Sequence, residues 1–123
     1  MNLHQAIREH ILQAHSDLLA TPPQLNQDAL TIGLRNGVTL TVRYAASDAY
    51  SLRWRTGTNS DAVELGIDTA PTHPTLTTAP NHLHRADGSV VSDPLTRVDA
   101  SPEANVSALL AALAADPLLQ AQA

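Results

Sequence analysis

Leu30-Thr31-Ile32-Gly33-Leu34-Arg35-Asn36-Gly37-Val38-Thr39-Leu40-Thr41-Val42-Arg43-Tyr44 is two alternating runs separated by turn residues. Successive side chains of a strand point to opposite faces, so Leu30, Ile32 and Leu34 share one face, and Val38, Leu40, Val42 and Tyr44 repeat the pattern. Asn36-Gly37 as a two-residue turn would set Leu34 opposite Thr39 and send the two apolar sets to opposite faces. A three-residue loop, Arg35-Asn36-Gly37 with Gly37 left-handed, instead pairs Leu34 with Val38 and Ile32 with Leu40. The apolar face is then continuous.

Working outward, Tyr50, Leu52 and Trp54 alternate in the same way, and so do Val63, Leu65 and Ile67. A short loop around Ala46 to Asp48 keeps parity, and a four-residue loop, Gly57 to Ser60, pairs Trp54 with Val63 and sets Arg53 opposite Glu64. Val90 and Val91 read as a short returning strand after the Ala86-Asp87-Gly88 turn. The expectation is an antiparallel meander of four to five strands. Its polar face carries Thr31, Thr39, Thr41, Arg43, Arg53, Arg55 and Glu64.

Two helices flank this sheet. Leu3, Ile7, Ile11, Ala14 and Leu18 recur at three- and four-residue steps until Thr21-Pro22-Pro23 stops them. Ser101 as N-cap, Pro102 at the first helical position and Glu103 in the first turn open a second helix with the stripe Val106, Leu109, Leu110 and Leu113, ending near Asp116-Pro117. The chain therefore reads as one α+β domain over residues 1–123, an antiparallel meander packed by an N-terminal and a C-terminal helix.

Lys and Arg together number 7, all of them Arg, against 12 acidic residues, for a net charge of −5. That balance argues against a free-standing nucleic-acid binder. Yet residues 28–60 hold Arg35, Arg43, Arg53 and Arg55 against Asp28 and Asp48 alone, so one sheet face is locally basic. The absence of Cys excludes a disulfide framework, a thiolate nucleophile and Cys-ligated metal. No apolar run is long enough for a signal peptide or a membrane span, so a cytoplasmic protein without a membrane partner is expected. P-loop, dinucleotide-binding, nucleophile-elbow and His-Glu-x-x-His motifs are missing.

Residues 68–84, Asp-Thr-Ala-Pro-Thr-His-Pro-Thr-Leu-Thr-Thr-Ala-Pro-Asn-His-Leu-His, are where chemistry concentrates. Three Pro make the segment stiff. On an extended stretch His82 and His84 lie on one face and Leu83 on the other. Three readings stay open at this point. The imidazoles could satisfy loop carbonyls; they could act with Arg as acid and base in metal-free RNA cleavage; or His73, His82 and His84, with Asp68, could hold a metal. Arg43, Arg53 and Arg55 suit phosphate, although from these residues alone a solvated face with an Arg53 to Glu64 cross-strand pair is the simpler reading. His4, His10 and His15 on the first helix read as surface or boundary residues.

Tyr50-Ser51, Trp54, Gly57, Asp68-x-Ala70-Pro71-x-His73-Pro74, Thr77, Pro80, His82-x-His84 and Val90-Val91 together resemble the TumE-type toxins of bacterial TumE/TumA toxin-antitoxin modules. Where that pattern has Asn, two further His, Lys and Arg, this chain has Thr69, Thr72, Asn81, Leu83 and Gly66, so His73, His82 and His84 are the imidazoles retained. The resemblance implies a small α+β toxin that attacks RNA, blocks translation and is neutralised by a DNA-binding antitoxin encoded nearby. It makes His73, His82, His84 and Asp68 the catalytic candidates, and Arg43, Arg53, Arg55 and Arg85 the RNA-binding ones, with no cofactor. The alternatives are a catalytically degenerate toxin kept as a binding module and a His-ligated metal enzyme.

Overall fold

The alternating runs do become strands with one buried face. In a computed structural model describing residues 2–57, 63–71 and 74–120, helix α1 (Leu3–Ala14) and a short 3-10 turn (Ser16–Leu18) precede seven strands. These are β1 (Gln24–Leu25), β2 (Leu30–Gly33), β3 (Val38–Ala46), β4 (Ala49–Thr56), β5 (Glu64–Asp68), β6 (His82–His84) and β7 (Val90–Ser92), followed by helix α2 (Pro102–Ala115). The strands form one antiparallel sheet in the order β1-β2-β3-β4-β5-β6-β7. Its edges, β1 and β7, are two and three residues long, which leaves little edge backbone for another chain to pair with.

The sheet is larger than the four to five strands expected, because β1 and β6 are too short to carry a sequence period of their own. The β2–β3 register matches the expectation. Ile32 pairs with Leu40, the Leu34 amide donates to the Val38 carbonyl, and Gly37 has a φ of +92°. Nothing lies within 4 Å of a Cβ built on Gly37, so Gly37→Ala meets no clash and tests backbone conformation alone. It is expected to lower stability by about 1 kcal/mol, read as a small fall in melting temperature.

The β4–β5 register is a correction. Trp54 pairs with Leu65, Arg53 with Gly66, and Arg55 with Glu64, rather than Trp54 with Val63 and Arg53 with Glu64. The shift is two residues, so every side chain keeps its face. Residues 58–60 of the proposed four-residue loop lie outside the described residues.

The apolar face is covered by both helices. Ile7 and Ile11 of α1 and Val106, Leu109, Leu110 and Leu113 of α2 join Leu40, Val42, Leu52, Trp54, Leu65, Ile67 and Leu83 in one buried cluster. Asn2 closes a capping box with Gln5 at the start of α1, and the Ser101 side chain accepts from the Ala104 amide at the start of α2. The β2–β3 loop reaches the other end of α2, where Asn36 Nδ2 donates to the Leu113 carbonyl at 3.0 Å. Trp54 Nε1 donates to the Pro117 carbonyl at 3.0 Å, tying β4 to the chain just beyond that helix. No helix among the described residues is long and apolar enough to cross a membrane.

Candidate active site

The pleat puts His82 and His84 of β6 on the polar face and drives Leu83 into the core, where it is fully buried. Antiparallel pairing then fixes their neighbours. One row across the sheet runs Arg43, Ser51, Asp68, His82, Ser92, and the next runs Thr41, Arg53, Gly66, His84, Val90.

The three ionisable groups at the centre of these rows converge. His82 Nε2 is 3.0 Å from Asp68 Oδ1, His84 Nε2 is 3.1 Å from Asp68 Oδ2, and the two Nε2 atoms are 3.0 Å apart. The rings lean together edge to face with centroids 4.7 Å apart, closer than the roughly 7 Å that two strand rises would give. Asp68 is also held from its own backbone, since the Ala70 amide donates to Oδ1 at 3.1 Å.

Exposure separates the two imidazoles. The His82 side chain is 1% exposed and the His84 side chain 36%. His82 Nδ1 lies 3.0 Å from the Pro80 carbonyl. A carbonyl can only accept, so this nitrogen carries a proton, and Nε2 is the nitrogen turned toward Asp68.

Arg53 lies beside the carboxylate, with one guanidinium nitrogen 3.7 Å from Asp68 Oδ2 and the other 3.6 Å from Glu64 Oε1. The Arg53 to Glu64 pair expected from sequence thus exists, on the diagonal rather than directly across. Gly66 makes room for it: a Cβ there would stand 3.4 Å from Arg53 Cγ. The missing side chain at Gly66 leaves an opening over which Arg53 lies.

The other candidates are placed as follows. Arg55 is exposed on the same face, one row beyond Arg53. Arg43 shares the row of Asp68 two strands away, about 10 Å at the usual strand spacing. Arg85 lines a small hollow with Ala86, Asp87, Leu118 and Gln120 rather than joining the triad. His73 lies outside the described residues. The histidines of α1 make structural bonds. His4 Nε2 accepts from the Tyr44 amide at 3.1 Å, and His10 and His15 meet the Ser107 hydroxyl of α2 at 2.9 and 3.0 Å.

A buried polar knot beneath the Pro-rich stretch is the feature sequence reasoning missed. Asn81 Nδ2 donates to Asp93 Oδ2 and to the Thr96 carbonyl, both at 2.9 Å. The Asp93 carboxylate also accepts from the Leu95 amide, the Thr96 amide and the Thr96 hydroxyl. Thr78 Oγ1 donates to the Asn81 carbonyl and accepts from the Asp93 amide. Tyr50 closes the knot from β4 through a 2.7 Å contact between its hydroxyl and that of Thr96. Burial pushes the Tyr50 hydroxyl above its ordinary pKa, partly offset by the Thr96 hydrogen bond, so it stays neutral. The residue directly before His82 is therefore clamped. The Ser-Asp-Pro sequence at 92–94 was the available sign, being a common turn opener.

A protein-family model described as Toxin TumE matches residues 3–116. No curated protein and no solved structure matches the chain.

Proposed function

The chain belongs to the TumE toxin family, and from that premise we propose that it is the toxin of a toxin-antitoxin module that cleaves RNA without a metal and so blocks translation. The observation carrying this reading is the meeting of two imidazoles over one carboxylate, with Arg53 alongside, on the polar face of the sheet. Cleavage of RNA by transesterification needs a base for the 2′-hydroxyl proton, an acid for the departing 5′-oxygen, and positive charge near the phosphorane.

His84, the more exposed ring, takes the 2′-hydroxyl proton. The freed oxygen attacks the adjacent phosphorus, a 2′,3′-cyclic phosphate forms, and the 5′-oxygen leaves with a proton from His82 in its doubly protonated form or from His73. Asp68 orients the rings. Arg53 and Arg55 meet the charge on phosphorus, and Arg43 and Arg85 are the candidates for flanking phosphates. A DNA-binding antitoxin encoded nearby neutralises the toxin in this reading.

Expression without any antitoxin is the direct test. Bacterial growth is expected to arrest, with cleaved RNA bearing cyclic phosphate ends. Normal growth with abundant folded protein would instead favour a degenerate toxin kept as a binding module.

A further inference from the structure

We propose that Asp68, His82 and His84 also form a binding site for a divalent transition ion such as zinc, and that its occupation silences the imidazole pair. The second half rests on the ribonuclease reading; the first does not. Zinc takes imidazole nitrogen and carboxylate oxygen at about 2.0 to 2.2 Å, which places neighbouring ligands of a tetrahedron about 3.3 Å apart. The three close approaches here are 3.0, 3.0 and 3.1 Å. The two nitrogens thus stand at ligand spacing from each other and each from a different oxygen of the Asp68 carboxylate, and one ligand atom from each of the three residues falls within 4.8 Å of the others.

The orientation of His82 supplies a second argument. The Pro80 carbonyl engages Nδ1, so Nε2 is the nitrogen that faces the group. Asp68 presents both carboxylate oxygens to the two rings. A single divalent ion would take one donor from each of the three residues.

The surroundings resemble those of a metal ligand set. A backbone carbonyl on the far nitrogen of His82 is the usual outer support of a ligating imidazole, and the Ala70 amide steadies the carboxylate. The His84 side chain is 36% exposed, so solvent ions can reach the group from that side. Arg53 opposes a cation there, but it divides its charge between Asp68 and Glu64. A ligated imidazole has its lone pair in the metal bond, so it can neither take nor give the proton that cleavage requires.

The test titrates zinc chloride, and cobalt(II) as a coloured probe, into chelator-treated full-length protein at constant pH, with calorimetry and melting temperature as readouts. One saturable equivalent is expected, with a rise in melting temperature, tetrahedral-type cobalt bands and no matching effect of magnesium. Asp68→Asn and His84→Gln should weaken binding by about tenfold or more. His10→Gln, on the other histidine cluster, should leave it unchanged. Failure of the folded wild type to take up zinc, or loss of uptake in His10→Gln, overturns the site. In parallel, RNA cleavage should fall with zinc occupancy and return on chelation. Zinc uptake with undiminished cleavage, or cleavage that requires zinc, overturns the silencing. Zinc uptake by a protein that cleaves RNA in neither state leaves the ion site standing and removes the ribonuclease reading.

Discussion

His84→Gln is expected to lower RNA cleavage, and with it toxicity, by about a hundredfold or more while changing the melting temperature little. Gln keeps a hydrogen-bonding end close to where Nε2 stands, but it cannot exchange a proton near neutral pH. The His84 side chain is 36% exposed and meets Asp68 and His82 on the polar face, away from the buried apolar cluster, so its replacement leaves the core untouched. His82→Gln makes the useful contrast. That ring is buried and bonded to the Pro80 carbonyl, so its loss should depress both activity and melting temperature. Full toxicity from a folded His84→Gln protein would remove the acid-base assignment and leave the imidazoles as loop supports.

The largest loss of stability is expected from Asp93→Ala, about 3 kcal/mol, or roughly 10 °C in melting temperature for a domain of this size. Asp93 is 5% exposed, and its carboxylate accepts from Asn81, from two amides and from the Thr96 hydroxyl. Truncation strands those donors where water does not reach them. Asp93→Asn keeps the shape but turns an NH2 toward donors, so it should fall between wild type and Ala. Because Asn81 immediately precedes His82, both variants should also reduce cleavage, without touching the reacting groups. A melting temperature within about 1 °C of wild type for Asp93→Ala would show that the knot contributes little.

Much of the fold was legible because alternation is a local signal. Leu30 to Tyr44 fixed the faces of β2 and β3, and parity alone placed the β2–β3 pairing correctly. Parity cannot see a slip of two residues, which is why Trp54 was set against Val63 instead of Leu65. β6 was harder still. Three residues after a Pro-rich stretch have no period of their own, and only ladder pairing with Asp68, Ile67 and Gly66 makes them a strand. For the site, the spacing of His82 and His84 gave their common face, but not the lean that brings their Nε2 atoms together. Asn81 shows the other limit. Judged against the family pattern it is a missing imidazole, whereas its partners Asp93 and Thr96 lie 12 and 15 residues further on and give it a clamping role. No periodicity encodes such a partnership.

The strand order of the sheet follows the chain, each strand pairing with the one made just before it, while α2 comes last and supplies Val106, Leu109, Leu110 and Leu113 to the core. A chain emerging from the ribosome can therefore lay down β1 to β7 in sequence, yet must wait for α2 before the apolar face is covered. Cooperative domains order as units, so the Asp68, His82 and His84 arrangement becomes rigid only once α2 has been made. A chain cut short before α2 therefore has the strands but neither a covered apolar face nor a fixed arrangement of the three side chains.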